Sequence, residues 1–414
     1  MTRKMTDFDW NRISGALGDT LDLLLASDDA RITRLYPGDQ SGRQPLHTVY
    51  VPADACWPGL VEEWGGAALA AIDAHPGVFA ELVRDDMIVA RVRRKLKKGP
   101  VEDLRIDFED GYGNRPDVTE DDHAAGAAAV LARCAVSPGG PFSYGVRIKS
   151  FEAPTRRRAV RTLARVVGGL ADAGAPLDRF VVTLPKVTTV AQVEAMVRVC
   201  EQLEDAAAVA PLKFEIQVEV PQAIVGADGA AVIARMVHAA GGRCSSLHYG
   251  TYDFSAACGI AGRYQSMEHP VADYAKLVMQ VAAAGTGVRL SDGSTNVLPV
   301  GDEAAVRQGW ELHHRLVGRS LERGYYQGWD MHPAQLPTRY AAAYAFYRSG
   351  FEQASRRLRD YYDRTGSCVM DEPATARALA GYLVRALDCG ALGASEIESS
   401  SGLNRSRLRS AAGF

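Results

Sequence analysis

Asp103-Leu-Arg-Ile-Asp-Phe-Glu-Asp-Gly-Tyr-Gly113 is the stretch that decides the fold. Leu104, Ile106 and Phe108 alternate with polar neighbours, the period-two pattern of a half-buried β-strand. The strand runs into Asp107, Glu109 and Asp110 and then two glycines. Carboxylates this close repel one another unless water, a cation or basic side chains offset them. A solvated strand-to-loop junction turned by Gly111 and Gly113 is one reading; a ligand site at a strand end is the other.

Working outward, strand-like and helix-like segments alternate. His47 to Pro52 reads as a first strand, followed by Ala-rich helical sequence to Lys98, whose last turn is basic, as suits a helix C-terminus. After Leu104 to Glu109 come strands at Tyr144–Lys149, Phe180–Lys186, Lys213–Val220, Ser246–Gly250, Gly287–Leu290 and Tyr326–Met331, separated by helical segments. Such alternation implies parallel strands joined by right-handed crossovers. Eight units predict an α/β fold, a (β/α)8 TIM barrel over 46–345. A doubly wound open sheet is the runner-up, but no G-x-G-x-x-G follows the first strand.

Two flanking regions complete the expected organisation. Residues 1–45 read as an N-terminal helical appendage and linker, with Ile13, Leu17, Leu21 and Leu24 on one side of a helix from Asp7 to Ala26. Residues 346–414 read as a C-terminal helical extension or cap ending in a Ser/Arg-rich tail.

Bulk composition narrows the partners. With 47 basic against 50 acidic residues the formal charge is −3, so no overall field recruits nucleic acid or an anionic membrane. The 7 cysteines are scattered without a C-x-x-C spacing, which fits reduced thiols in a cytoplasm. No signal-peptide core or membrane-length apolar run is present, so a soluble, cytoplasmic protein acting on small molecules is expected.

In a parallel barrel, chemistry collects at the carboxyl ends of the strands. Those ends deliver Asp107, Glu109 and Asp110 from the second strand, then Arg147 and Lys149, Lys186, Glu219, Asp253, and finally Asp330 and His332. Glu219 and Asp253 together make a hard oxygen site suited to Mg²⁺, with water and substrate filling the remaining positions. Pairing of each acid with a cation such as Lys186 is the structural alternative. Arg147 is either a buried partner of the acidic stretch or a fork for a carboxylate or enolate oxygen.

The ordered series Ile106-Asp-Phe-Glu-Asp-Gly, Val146-Arg-Ile, Leu184-Pro-Lys-Val, Val218-Glu-Val-Pro-Gln-Ala-Ile, His248-Tyr-Gly-Thr-Tyr-Asp-Phe and Gly328-Trp-Asp-Met-His-Pro-Ala-Gln resembles the citrate lyase beta-subunit-like and HpcH/HpaI aldolase proteins of the phosphoenolpyruvate/pyruvate barrel superfamily. The resemblance spans roughly Thr48 to Gln335. It implies Glu219 and Asp253 as Mg²⁺ ligands, with Mn²⁺ as an alternative ion. It also implies Arg147 as the group polarising the substrate carbonyl, and Asp107 and Glu109 as holders of metal-bound water. Arg147, Lys186 and Gly250 are expected to face the substrate.

The same motifs are similar to those of malate synthases, whose C-terminal domain bears a catalytic carboxylate in a Met-Glu-Asp-x-Ala-Thr pattern. Met370-Asp-Glu-Pro-Ala-Thr-Ala-Arg377 resembles it with the acids reversed, placing Glu372 at the base position. A plain helix N-terminus is the alternative for that segment. Lys149 also departs from the lyase pattern, where Asn is usual.

The function this implies is Mg²⁺-dependent carbon–carbon bond cleavage or formation on a 2-oxo or 3-hydroxy acid through a metal-stabilised enolate. Arg147 would be catalytic together with Glu372 or the Asp107/Glu109 pair. Coenzyme A as part of the substrate is suggested by the relatives and by the basic run Arg93 to Lys98. Malate-synthase-like condensation, thioester hydrolysis and a non-catalytic metabolite-binding barrel are the competing readings, and a homo-oligomer is compatible with all of them.

Overall fold

The computed structural model describes residues 10–39, 42–363 and 372–413. Eight strands form the core: β1 (His47–Pro52), β2 (Asp103–Asp107), β3 (Ser143–Arg147), β4 (Phe180–Leu184), β5 (Lys213–Val218), β6 (Cys244–Tyr249), β7 (Arg289–Ser291) and β8 (Gly328–Asp330). Each pairs in parallel with its sequence neighbour, and β8 returns to β1. A parallel bridge between Ser291 and Gln327 joins β7 to the segment leading into β8, so the sheet closes into the expected (β/α)8 barrel.

Strand parity explains why the barrel forms from these sequences. Leu104 and Ile106 of β2, Tyr144 and Val146 of β3, and Phe214 and Ile216 of β5 are completely buried in the main apolar core. Residues of the opposite parity fill the barrel interior, and there they are polar. Arg105 of β2 pairs with Asp103 and reaches across to Glu215 of β5 (2.9 Å), which also meets His248 of β6 (3.1 Å). The second strand is thus buried on both faces, not half-buried, because its polar face meets compensating charge in place of water.

Between β1 and β2 the single helical run expected to reach Lys98 is three helices, Leu60–Ala74, Pro76–Val83 and Asp86–Lys98. Pro76 starts the second, and Asp85 caps the third by accepting from the amides of Met87 and Ile88. The basic run lies toward the N-terminal end of the barrel, with Arg93 on Asp73 (2.7 Å) and Lys95 on Glu102 (2.7 Å). The run therefore lies away from the carboxyl ends of the strands.

The first helix spans Trp10–Leu35, longer than expected, and none of its residues is buried. After β8 the chain forms Leu336–Ser349 and Phe351–Asp363. A side chain at Gly350 would sit 2.5 Å from the Tyr382 hydroxyl, so the close approach of the following helix, Pro373–Cys389, fixes the break. The Ser/Arg-rich tail folds as Ala394–Ser401 and Arg405–Ala411. Arg348 pairs with Glu396 (3.1 Å) and Arg409 with Asp388 (3.4 Å). The far end of Pro373–Cys389 packs beneath the barrel, where Arg385 lies 4.4 Å from the Tyr326 ring centre.

No described helix is long and apolar enough to cross a membrane. Cys56, Cys134, Cys200, Cys244, Cys258 and Cys389 are all free thiols.

Candidate active site

At the C-terminal mouth of the barrel a cavity of about 420 Å³ is lined by Asp107, Asp110, Arg147, Gln217, Glu219, Gly250 and Asp253, with Tyr50, Tyr252, Ser294, Trp329 and Met331. Strand geometry puts them there. Asp107 ends β2, Arg147 ends β3, Glu219 follows β5, and Asp253 sits in the first turn of the helix Thr251–Ala257 after β6.

Asp107 and Arg147 form a buried two-pronged pair. Arg147 donates from Nε to Asp107 Oδ1 and from Nη2 to Oδ2, each at 2.6 Å. The Asp107 oxygens also accept from the amides of Glu109 and Gly111, each at 2.9 Å. Asp107 is thus saturated as an acceptor, and the two-pronged pair fixes the plane of the Arg147 guanidinium. The guanidinium lies 4.9 Å from the Tyr50 ring centre, and its Nη1 is 3.7 Å from Glu109 Oε2.

Lys186 gathers the remaining acids. Its ammonium is 2.7 Å from Glu109, 2.8 Å from Asp110, 3.7 Å from Asp253 and 3.9 Å from Glu219. Lys186 has φ of 50°, a left-handed conformation that costs about 1–2 kcal/mol in a non-glycine residue. That conformation lets its backbone N–H donate to Glu219 Oε1 (2.7 Å). Glu219 is fully buried, and Gln217 Nε2 donates to its other oxygen. Gly250 makes room for it, since a Cβ there would sit 2.6 Å from Glu219 Cβ.

The electrostatics follow from crowding. Burial pushes the Glu219 carboxyl up to about 8, with Lys186 pulling back and Glu109 adding to the rise. Burial likewise lifts Glu109 to about 7 against the pull of Arg147 and Lys186. With Asp107 committed to Arg147, four carboxylates share one ammonium. Among the described residues no group of three or more His, Cys, Asp and Glu side chains has metal-site geometry. A Mg²⁺ site needs fewer, since one or two carboxylates with water and substrate suffice. The donor set Glu219 and Asp253, all oxygen and short of positive charge, fits such an ion.

Not every strand-end residue faces the mouth. Asp330 has the opposite parity to Trp329 and points outward into a buried cluster with His47 (2.7 Å), His313 (3.1 Å) and Arg339 (3.0 Å). His332 caps the short turn after β8 by accepting from the Ala334 amide. Lys149 turns away from the cavity and donates to the carbonyls of Phe108 and Gly113, both at 2.8 Å, tying down the acidic loop. That explains a cation where the lyase pattern has Asn.

Glu372 does not line the mouth cavity. It is the exposed N-cap residue of Pro373–Cys389 and its side chain makes no capping bond, while neighbouring Asp371 lies outside the described residues. Sequence reasoning missed Tyr50, Gln217, Tyr252 and Trp329. The first two were recoverable by parity, because Gln217 shares its face with Glu219, and Tyr50 its face with Thr48.

The family described as a domain of unknown function (DUF6986) matches residues 25–414. The chain belongs to that family. Curated protein sequences give no match. Among solved structures, this DUF6986 chain is similar to a citrate lyase from Burkholderia xenovorans LB400, at 20% identity over 87% of this chain and 97% of that one, with a TM-score of 0.59. It is similar to CitE from Mycobacterium tuberculosis, solved with magnesium, acetoacetate and coenzyme A, at 18% identity over 85% and 100%, TM-score 0.50. A Haloferax volcanii malate synthase matches at 13% identity over 90% and 98%, TM-score 0.50. These likenesses establish the shared barrel fold.

Proposed function

We propose that this protein is a divalent-cation-dependent carbon–carbon lyase or condensing enzyme for a small 2-oxo or 3-hydroxy acid. One observation carries the reading. A single cavity at the barrel mouth holds an arginine aimed by Asp107 beside Glu219 and Asp253. A binding module has no need of a clamped guanidinium and an excess of acids in one cavity.

Arg147 is the electrophilic anchor. Its pairing to Asp107 fixes the guanidinium plane, so that it meets the oxo-acid oxygens without reorganising as negative charge develops. Tyr50 and Trp329 wall the cavity on the apolar side and restrict water. Glu219 and Asp253 would hold Mg²⁺, or Mn²⁺ in its place, and a bound ion there would supply Lewis acidity toward an enolate. Glu109, whose carboxyl burial lifts to about 7, is assigned the proton, with the Lys186 ammonium in contact to hold Glu109 and Asp110 in place.

Glu372 has no part in this scheme, which removes the main support for a malate-synthase-like condensation using a base from the same chain. Coenzyme A as acyl carrier rests on the Mycobacterium tuberculosis relative alone.

The test is calorimetric binding of pyruvate, glyoxylate, oxaloacetate and oxalate with and without Mg²⁺, on wild type and Asp253→Asn. Cation-dependent binding that weakens at least about tenfold in the variant is expected. Cation-independent binding, or none, would replace this reading with a non-catalytic metabolite-binding barrel.

A further inference from the structure

The underside of the barrel carries a second cavity, of about 220 Å³, far from the carboxyl ends of the strands. Arg289, the first residue of β7, and Arg385, on the helix Pro373–Cys389, both line it. Neither guanidinium has a carboxylate within ion-pair distance among the described residues. Arg289 donates to the Gly42 carbonyl, and Arg385 lies on the Tyr326 ring.

The acids nearby do not neutralise them. Asp388 faces the same cavity but is shared with Arg405 (3.7 Å) and Arg409 (3.4 Å), and Asp39 lies exposed at the rim. Burial first, and then the Arg385 charge, hold the Arg289 guanidinium down to about 10, with Asp388 and Asp103 pulling the other way. Inside the barrel, by contrast, buried charge is paired, and Arg105 by itself has two carboxylate partners. Two half-buried arginines line one cavity whose acids are exposed or shared with other arginines, an arrangement that a small anion between them would relieve.

We infer that this cavity is an anion site taking a small phosphate-type dianion, bridged between Arg289 of the barrel and Arg385 of the C-terminal extension. Guanidinium forks match phosphate oxygens two at a time, and the volume suits a free anion or a terminal phosphate group. Because the two arginines belong to different parts of the chain, occupancy clamps the extension against the barrel.

The experiment measures the melting temperature and calorimetric binding of inorganic phosphate at constant ionic strength. Sodium chloride serves as the matched control, and the proteins are wild type, Arg385→Gln, Arg289→Gln and Lys186→Met. Expected is a saturable, phosphate-specific rise in wild type, with affinity weakened at least about tenfold in either arginine variant and unchanged in Lys186→Met. An equal response to chloride overturns the proposal. So does an unaltered response in Arg385→Gln, or one lost only in Lys186→Met, which would put the anion at the mouth. Should Arg289→Gln fail to fold, Arg385→Gln decides alone, since its side chain rests on a ring at the edge of the cavity.

Discussion

Replacing Asp107 by asparagine tests the hinge of the proposed chemistry. The carboxylate accepts four hydrogen bonds, two from Arg147 and one each from the amides of Glu109 and Gly111. The substituted amide keeps one acceptor oxygen and turns an NH₂ group toward two donors, so two of the four bonds are lost and the charge pair is broken. The Arg147 and Asp107 side chains are nearly inaccessible, at 8% and 2% exposure. Removing one member of such a pair costs about 3–5 kcal/mol, because it strands a buried charge. Glu109, 3.7 Å from Arg147, offers a substitute partner, which places the loss near the lower end, about 3 kcal/mol.

The assay is urea unfolding at matched slope for wild type, Asp107→Asn, Arg147→Met and the double variant, with oxalate binding measured alongside. A coupling of about 2 kcal/mol or more between the two positions is expected, with oxalate affinity down at least about tenfold in Asp107→Asn. Additivity within about 0.5 kcal/mol, or undiminished oxalate binding, would refute the claim that Asp107 acts by aiming Arg147.

Three further outcomes are expected. Burial alone would raise Glu102, but Lys95 and Arg43 bring it down from its ordinary 4.5 to about 2. Its contribution, roughly 3 kcal/mol, is therefore complete above pH 4.5 and lost as pH falls toward 2; Glu102→Gln should flatten acid unfolding over that window, and an unchanged acid profile would count against the pairing. Gly250→Ala pushes a methyl to 2.6 Å from Glu219 Cβ, so cation-dependent oxalate binding should vanish in calorimetry, with about 1–3 kcal/mol lost from stability; retained binding would show that Glu219 is not a ligand. Glu372→Gln should leave oxalate affinity and any lyase turnover within about twofold of wild type; a larger drop in turnover would restore the residue to the chemistry.

Much of the barrel was legible because period-two alternation in Leu104/Ile106/Phe108 and its counterparts reports the face turned to the helices. The interior was not. Arg105, Glu215 and His248 are the residue types a lone sequence assigns to solvent, and only closure of the sheet reveals that they satisfy one another across it. Parity also accounts for the misplaced Asp330. It ends a strand as Asp107 does, but one step out of phase with Trp329, so the same carboxylate becomes a buried support for His47, His313 and Arg339. Glu372 stands in a motif whose order is already altered. Its place depends on how Pro373–Cys389 packs beneath the barrel, which no local pattern encodes.

The distribution of unmatched charge ties the two ends of the molecule together. Inside the barrel, Asp103 and Glu215 are met by Arg105 and His248; at the underside, Glu102 is met by Arg43 and Lys95. Among the described residues, imbalance is concentrated at the mouth and at the underside. At the mouth, Glu109, Asp110, Glu219 and Asp253 surround one ammonium, carried by a lysine in the left-handed conformation. Beneath the barrel, Arg289 and Arg385 share a cavity in which, among the described residues, neither has a carboxylate within ion-pair distance and Asp388 is shared with Arg405 and Arg409. Crowding like charge in either place costs stability that a counter-ion would recover. Against the paired charges of the barrel interior, these two imbalances are what motivate the proposed cation at one end and the proposed anion at the other.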